Sequence, residues 1–381
     1  NDEDYAQLFS IEDLLNAFTQ VISFDVAADD IDGVSGSGIA SGVSLTGSFV
    51  PQPWGTIYAS ENMLVFAMNG YVPGQFTSER TVFLLAFGLE KSAASPQATG
   101  TVRGRFLHEN SLDIHDGYLR IATSVGTDNQ IVVMRVPTAG ENEFREVARV
   151  DGLGKPGETI TAVRFFDDIA YVVTFLRTDP FYAIDLKDNL SPKILGELSI
   201  SGFSEYLHAI NSDKTLMLAV GQEADDEGGI LGIQLTLFDS TDPTSPKALH
   251  RYVIEDDAAV SSSSTASYDF KAFRYVSINQ TTGIVIFPLR IYSPSSQAVI
   301  DFDGYAVFDV STVDGIRPRM RVSHPNQLTA YYNGCHVYLP HRSWVINGDL
   351  MTIDNGMVIS TDLDTRELKW NLTLPKPCTF F

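Results

Sequence analysis

Short β-rich runs return along this chain in groups of four, cut apart by Gly, Pro, Asp and Asn every eight to twelve residues. One group reads Thr161–Phe166, Ile169–Phe175, Phe181–Asp185 and Lys193–Ile200. The next reads Glu205–Ile210, Thr215–Gly221, Gln234–Asp239 and Ala248–Ile254, and a third Asp269–Val276, Gly283–Leu289, Tyr305–Val310 and Arg317–Val322. The third run of each closes an apolar-aromatic stretch on an aspartate: Asp185, Asp239 and Asp309. In the first two groups a Ser-Pro-Lys turn follows, at Ser191–Lys193 and Ser245–Lys247. Such spacing predicts strands joined by tight turns rather than βαβ units. A four-stranded meander cannot bury both of its faces alone, whereas meanders stacked in a ring bury them all.

Less regular groups flank these three, at Thr56–Arg103, Ser111–Val150 and Ser343–Leu374, giving six full modules. A surplus pair lies in front: Gln20–Asp25 resembles a third strand and Gly42–Ser48 a fourth. The expectation is an all-β chain, a β-propeller of four-stranded blades, seven in number with six and eight as alternatives. The ring closes by mixing chain ends, or by polypeptide that precedes this chain. Helix signals are scarce. Ser10 can cap a short helix in which Ile11, Leu14, Leu15 and Phe18 share one face. The organisation read from this is a lead-in over 1–20, a propeller over 21–375 and a tail over 376–381.

Several stretches are similar to a family of secreted bacterial and archaeal proteins with a C-terminal β-propeller domain. They are Leu112–Thr123, Val163–Phe175, Asp179–Asp185, Gly202–His208, Leu237–Pro243 and Lys271–Phe273, with weaker similarity from about Val21 to Leu374. The resemblance implies export and a propeller, and no activity. Members are usually longer at the front, which accounts for the surplus pair. The family tends to carry His before the Lys of a His-Lys-Ala-Phe motif, where this chain has Phe270. A role resting on that histidine does not carry over.

Charge narrows the partners. With 26 Lys+Arg against 48 Asp+Glu the net charge is −22, the opposite of the basic footprint that nucleic acid or an anionic lipid surface requires. No apolar run approaches the ~20 residues of a membrane span. The chain opens on an acidic string at Asn1 with no basic-then-apolar leader, so the expectation is an exported chain whose leader is already removed. Cys335 and Cys378, the two cysteines of the sequence, both fall in or near the last module. In an oxidising compartment they are expected to pair. Asn189, Asn279 and Asn371 head N-x-S/T triplets, the first followed by Pro192. All three fall in expected turns or outer strands, where glycosylation is sterically open.

The chemistry-bearing motifs are few. There is no nucleophile elbow, H-E-x-x-H or P-loop, and Gly36–Gly42 has the wrong spacing for a dinucleotide loop. His336 and His341, five apart, make a poor metal pair on a strand. Asp-x-Asp-Gly occurs at Asp30–Gly33 and Asp301–Gly304, with a cousin at Asp113–Gly117. Alternating carboxylates before Gly suit calcium, making Asp113, Asp116, Asp301 and Asp303 candidate ligands and calcium the candidate cofactor. Missing acids at the loop ends favour the plain hairpin turn that Asp-Gly also builds. Superposing the modules aligns Arg164, His208 and Lys271 on the first strands, which line a propeller's channel. Such a cationic ring suits an anionic ligand, and its structural alternative is an ion-pair network with acids such as Asp113 and Glu205. Trp54, Tyr331, Tyr332 and Trp344 could platform a sugar.

The reading is an exported, non-enzymatic binding or scaffold module whose partner is a protein, an extracellular polymer or a preceding segment of its own precursor. The alternatives are a hydrolase or lyase of extracellular polymers with its site at the channel mouth, and a structural subunit of an extracellular assembly.

Overall fold

The computed structural model describes residues 17–24, 43–50, 55–71, 79–90, 93–126, 128–138, 140–175, 179–224, 230–254, 261–293, 296–324, 340–354 and 356–374. These residues are all-β, with three single 3-10 turns as their helical content. Strands β1 (Ala17–Phe24) and β2 (Val43–Val50) pair antiparallel as a sheet of two. Then come β3 (Thr56–Ala59), β4 (Met63–Gly70), β5 (Thr81–Glu90) and β6 (Ala93–Arg103), a sheet in chain order. The next holds β7 (Leu112–His115), β8 (Tyr118–Val125), β9 (Asp128–Arg135) and β10 (Arg145–Val150), and the next β11 (Thr159–Phe166), β12 (Ile169–Phe175), β13 (Asp179–Asp185) and β14 (Lys193–Ile200). A fourth holds β15 (Phe203–Ala209), β16 (Leu216–Ala224), β17 (Ile230–Asp239) and β18 (Lys247–Val253).

In the fifth, the first strand comes in two pieces, β19 (Ser261–Ser263) and β20 (Arg274–Ser277). Both pair with β21 (Thr282–Ser293), which pairs with β22 (Ser296–Ser311) and that with β23 (Gly315–Ser323). The last sheet is β24 (Arg342–Ile346), β25 (Asp349–Asp354), β26 (Met357–Asp362) and β27 (Leu368–Thr373). The six expected modules and the surplus front pair are therefore present as sheets, each a four-stranded antiparallel meander apart from the split strand.

Position within a meander decides composition. Second and third strands are buried on both faces and read as almost unbroken apolar runs: Met63, Val65 and Ala67 of β4 face one core, while Phe66 and Met68 face another. Fourth strands are the exposed ones, and every residue of β27 is exposed. The ladder between third and fourth strands slips at a bulge in five sheets, at Ala86/Phe87, Glu146/Ala148, Leu237/Phe238, Val307/Phe308 and Ser360/Thr361. A bulge sharpens the local twist, so the outer strand turns away from the plane of its partners.

The chain divides into two compact units, Asn1–Tyr171 with Ile184–Ile194, and Val172–Ala183 with Leu195–Phe381. In the first, Leu119, Ile121 and Val132 pack against Val65, Leu84 and Val102 to join the β7–β10 and β3–β6 sheets. The opposite face of β3–β6, with Phe66, Leu85 and Phe87, takes Val21 of β1. In the second, Leu218, Leu235 and Leu237 meet Val285, Phe287 and Phe308 between the β15–β18 and β19–β23 sheets. Ile286, Tyr305 and Val307 meet Leu350 and Ile359 between β19–β23 and β24–β27.

Three expectations need correcting. Asp301–Gly304 is not a hairpin turn: it lies inside β22, which pairs with β21 along Thr282–Ser293. Asp269–Val276 is not one strand, since residues 264–273 leave the ladder in two 3-10 turns before β20 resumes it. The N-terminal helix falls outside the described residues except at its end, where Phe18 is already in β1. Cys335, Cys378, Asp30–Gly33, Gly36–Gly42, Trp54, Tyr331, Tyr332 and His336 also lie outside the described residues.

Candidate functional site

In the first unit the hairpin between β7 and β8 turns on Asp116 (φ 48°) and Gly117 (φ 77°). This double positive φ is the two-residue turn that Asp-Gly favours. It sets the register that places Asp113 opposite Arg120. Arg120 is wholly buried at 0% exposure, and its Nε donates to Asp113 Oδ2 at 2.8 Å while Nη2 reaches the same oxygen. Nη1 donates to the Asp167 carbonyl, and the Phe165 ring lies 5.7 Å away. Tyr58 Oη donates to Asp113 Oδ1 at 3.3 Å and accepts from the Ile114 N–H at 3.1 Å. Asp113 is thereby committed to an arginine.

Arg164, near the end of β11, is treated differently. It is half-buried, its Nη1 donates to Asn110 Oδ1, and its guanidinium lies 5.8 Å from the Phe166 ring. No carboxylate among the described residues lies within ion-pair distance, and its Nε is buried without a hydrogen bond. Asn110 belongs to the 3-10 turn Glu109–Ser111, capped by His108, whose Nδ1 accepts from the Asn110 N–H at 3.2 Å. Burial, reinforced by the Arg164 charge, pushes the His108 pKa down to about 3, so this imidazole is neutral at ordinary pH. The result is a guanidinium with one amide oxygen for partner, beside a neutral ring. The alternative, a network of Arg164 with Asp113, is not formed, because Arg120 holds that acid.

His208 and Lys271 both belong to the second unit and do not share one role. His208, near the end of β15, is half-buried, with Tyr206 Oη 3.3 Å from its Nδ1 and the Phe273 and Tyr275 rings at 5.1 and 5.6 Å. Glu205, two residues before Leu207, is held above the usual carboxylate range by burial, and its Oε1 accepts from Gln222 Nε2 at 3.0 Å. From the next sheet Tyr275 of β20 comes beside His208, and burial raises its pKa to about 12. Lys271 instead sits exposed in the 3-10 turn Phe270–Ala272. Phe270, which occupies the position of the family's histidine, stacks on Tyr206 at 4.9 Å and 14°.

The segment 264–273 is tied to the last sheet as well. Arg342 Nη1 donates to Asp269 Oδ2 at 2.7 Å, Arg274 Nε to the Ser343 carbonyl at 3.3 Å, and Thr265 Oγ1 lies 3.2 Å from His341 Nδ1. Of these residues only His341 stands out in sequence, and there beside His336 rather than Thr265, because residues 265 and 341 meet only through the split in the fifth module.

The remaining candidates are dispersed. Asp303 faces Arg290 across β21 and β22, with Arg290 Nη2 at 2.8 Å, while Asp301 is exposed. Asp116 borders an open cavity of about 450 Å³ with Glu61, Asn62 and Gln97. No three His, Cys, Asp or Glu side chains among the described residues converge as metal ligands do. Asn189 lies buried in the turn before β14, whereas Asn279 in a turn and Asn371 on β27 are exposed. Trp344 on β24 is partly exposed.

A family model described as the β-propeller domain matches residues 4–366. An uncharacterized protein of Archaeoglobus fulgidus is 42% identical over 161 residues, covering 42% of this chain and 24% of that protein. Uncharacterized protein MJ1554 of Methanocaldococcus jannaschii is 38% identical over 161 residues, covering 40% of this chain and 24% of its own length. The matched part thus spans about a quarter of each curated relative. Among solved structures, the periplasmic gluconolactonase of Pseudomonas aeruginosa is 8% identical, with 94% of this chain and 96% of that chain covered and a TM-score of 0.47. A protein from Lactobacillus plantarum is 12% identical, with 94% and 97% covered and a TM-score of 0.44.

Proposed function

Because the chain belongs to the β-propeller domain family, we propose that it is an exported binding module that takes an anionic group at Arg164. The observation that carries this reading is the half-buried guanidinium without a carboxylate partner in a chain of net charge −22. What sets Arg164 apart is that it is half-buried and, among the described residues, has no carboxylate within ion-pair distance. A charge-assisted, bidentate bond to a carboxylate, sulfate or phosphate would complete it. Asn110 fixes the guanidinium from one side, and the neutral His108 ring can offer a further polar contact.

The size of the ligand follows from the same charges. A long polyanion would meet the −22 of the whole protein, whereas charges beyond about 8 Å are screened at physiological ionic strength. The site therefore suits a small anion, or one acidic group on a protein or extracellular polymer. Export is part of the proposal, as is a disulfide between Cys335 and Cys378.

Sulfate at constant ionic strength tests this reading. Its binding should raise the melting temperature, since a ligand at a hundred times its Kd stabilises by about 2.7 kcal/mol. Arg164→Ala should abolish the rise and Arg164→Lys weaken it. Equal sulfate response in all three proteins would refute the assignment.

A further inference from the structure

A second feature, independent of Arg164, lies where the split strand of the fifth module meets the last sheet. Thr265 Oγ1 stands 3.2 Å from His341 Nδ1, and His341 Nε2 stands 3.1 Å from Asp354 Oδ1. One ring nitrogen faces a hydroxyl and the other a carboxylate. With the Nε2 proton on Asp354, Nδ1 is left as the acceptor for the Thr265 hydroxyl proton. That is the geometry in which an imidazole acts as general base, held in the right tautomer by a buried acid.

Burial is graded along the relay. Asp354 is 1% exposed, His341 is 8% exposed, and Thr265 is half-buried at the start of the 3-10 turn Thr265–Ser267. The orienting carboxylate is kept from water while the threonine is partly exposed. Among the described residues Asp354 has no arginine or lysine in ion-pair contact, and its second oxygen is buried without a hydrogen bond. Its side chain meets the His341 ring directly, as an orienting group requires, and its charge also acts on His324. The fixing of residues 264–273 to the last sheet does not need this relay, because the Arg342–Asp269 and Arg274–Ser343 bonds already supply it.

We infer that Thr265, His341 and Asp354 form an acyl-transfer site that hydrolyses carboxylic esters. In the first half, His341 Nδ1 takes the Thr265 proton as Oγ1 bonds to the ester carbon and the carbonyl π pair moves onto oxygen. The tetrahedral species collapses, the bond to the alcohol breaks, and the alcohol leaves with the proton from His341. In the second half, water gives its proton to His341, attacks the acyl-threonine and releases the acid and the Thr265 hydroxyl.

The experiment uses the full chain with mono-4-nitrophenyl succinate as substrate and a fluorophosphonate as label, followed by peptide mapping. The site predicts an adduct on Thr265 and hydrolysis that falls at least a hundredfold in T265A and H341Q, in line with the 10²–10⁴ of general acid–base catalysis. T265S keeps the hydroxyl and should retain turnover within about tenfold of the parent, a margin of ~1.4 kcal/mol in barrier. Turnover that survives T265A, an adduct placed elsewhere, or a folded parent showing neither turnover nor adduct would overturn the proposal. Should T265A fail to fold, the adduct position and the T265S rate decide it.

Discussion

Arg120 and Arg164 come from neighbouring sheets of the first unit and place opposite demands on their surroundings. Arg120 is buried against Asp113, so Arg120→Ala leaves that acid with the Tyr58 hydroxyl and little else. Stability should fall by about 3–5 kcal/mol, read from urea unfolding. Arg164→Ala strands no acid, and the same measurement should show a loss of about 1 kcal/mol, the net value of an ordinary hydrogen bond. His108 supplies a pH test. Its folded pKa is depressed to about 3, while an unfolded histidine titrates near 6.5. Between these values the unfolded chain binds the extra proton, so this histidine's contribution is fully present above pH 6.5 and is lost as pH falls towards 3. The slope is at most about 1.4 kcal/mol per pH unit. His108→Gln should flatten that acid limb in a series of melting curves. In Arg164→Ala the His108 proton resonance should titrate at higher pH, still below 6.5 because burial is the larger cause. Some of this was readable beforehand: a turn centred on Asp116 and Gly117 places 113 opposite 120 by counting alone. His108 and Asn110 were not, because they lie in a connection that carries no periodic signal.

At the scale of elements, the meanders were legible because second and third strands are apolar runs set apart by Gly, Asp or Asn. The split first strand of the fifth module was not. Asp269–Val276 has the aromatic and β-branched content of a strand, and only tertiary partners draw it out of the ladder. Phe270 finds Tyr206, Asp269 finds Arg342, and Ser264 caps the first 3-10 turn by accepting from the Ala266 N–H at 3.1 Å. Propensity yields to such contacts in sheets more readily than in helices. The same contacts hold Lys271 in a 3-10 turn, off the strand position that would match His208. One glycine tests how tightly strands are fitted. A Cβ on Gly221 of β16 would meet the Phe203 carbonyl oxygen at 1.8 Å and Ser204 Cα at 2.6 Å. These are backbone atoms beside the bulge at Ser204/Tyr206, so neither can swing aside. Gly221→Ala should cost about 3 kcal/mol, seen as a lower urea midpoint with unchanged slope.

For the molecule as a whole, the covalent prediction concerns the tail. If Cys335 and Cys378 pair as proposed, non-reducing peptide mapping should recover one linked species. Reduction should then cost roughly 3–4 kcal/mol, the loop-closure value for a span of this size; two free thiols in the native protein would exclude the bond. The strand order carries a consequence for biosynthesis. Among the described residues every sheet is laid down in the order of its residues, and no strand waits for a partner from a distant stretch of chain. A ribosome adding about 5–20 residues per second finishes a set of four strands within seconds of starting it. In the second unit the β15–β18 meander is complete before β19 has emerged, so its apolar face is ready as a template when β21 arrives. The protein is thus suited to folding from its N-terminal side while still being made, one sheet settling on the last.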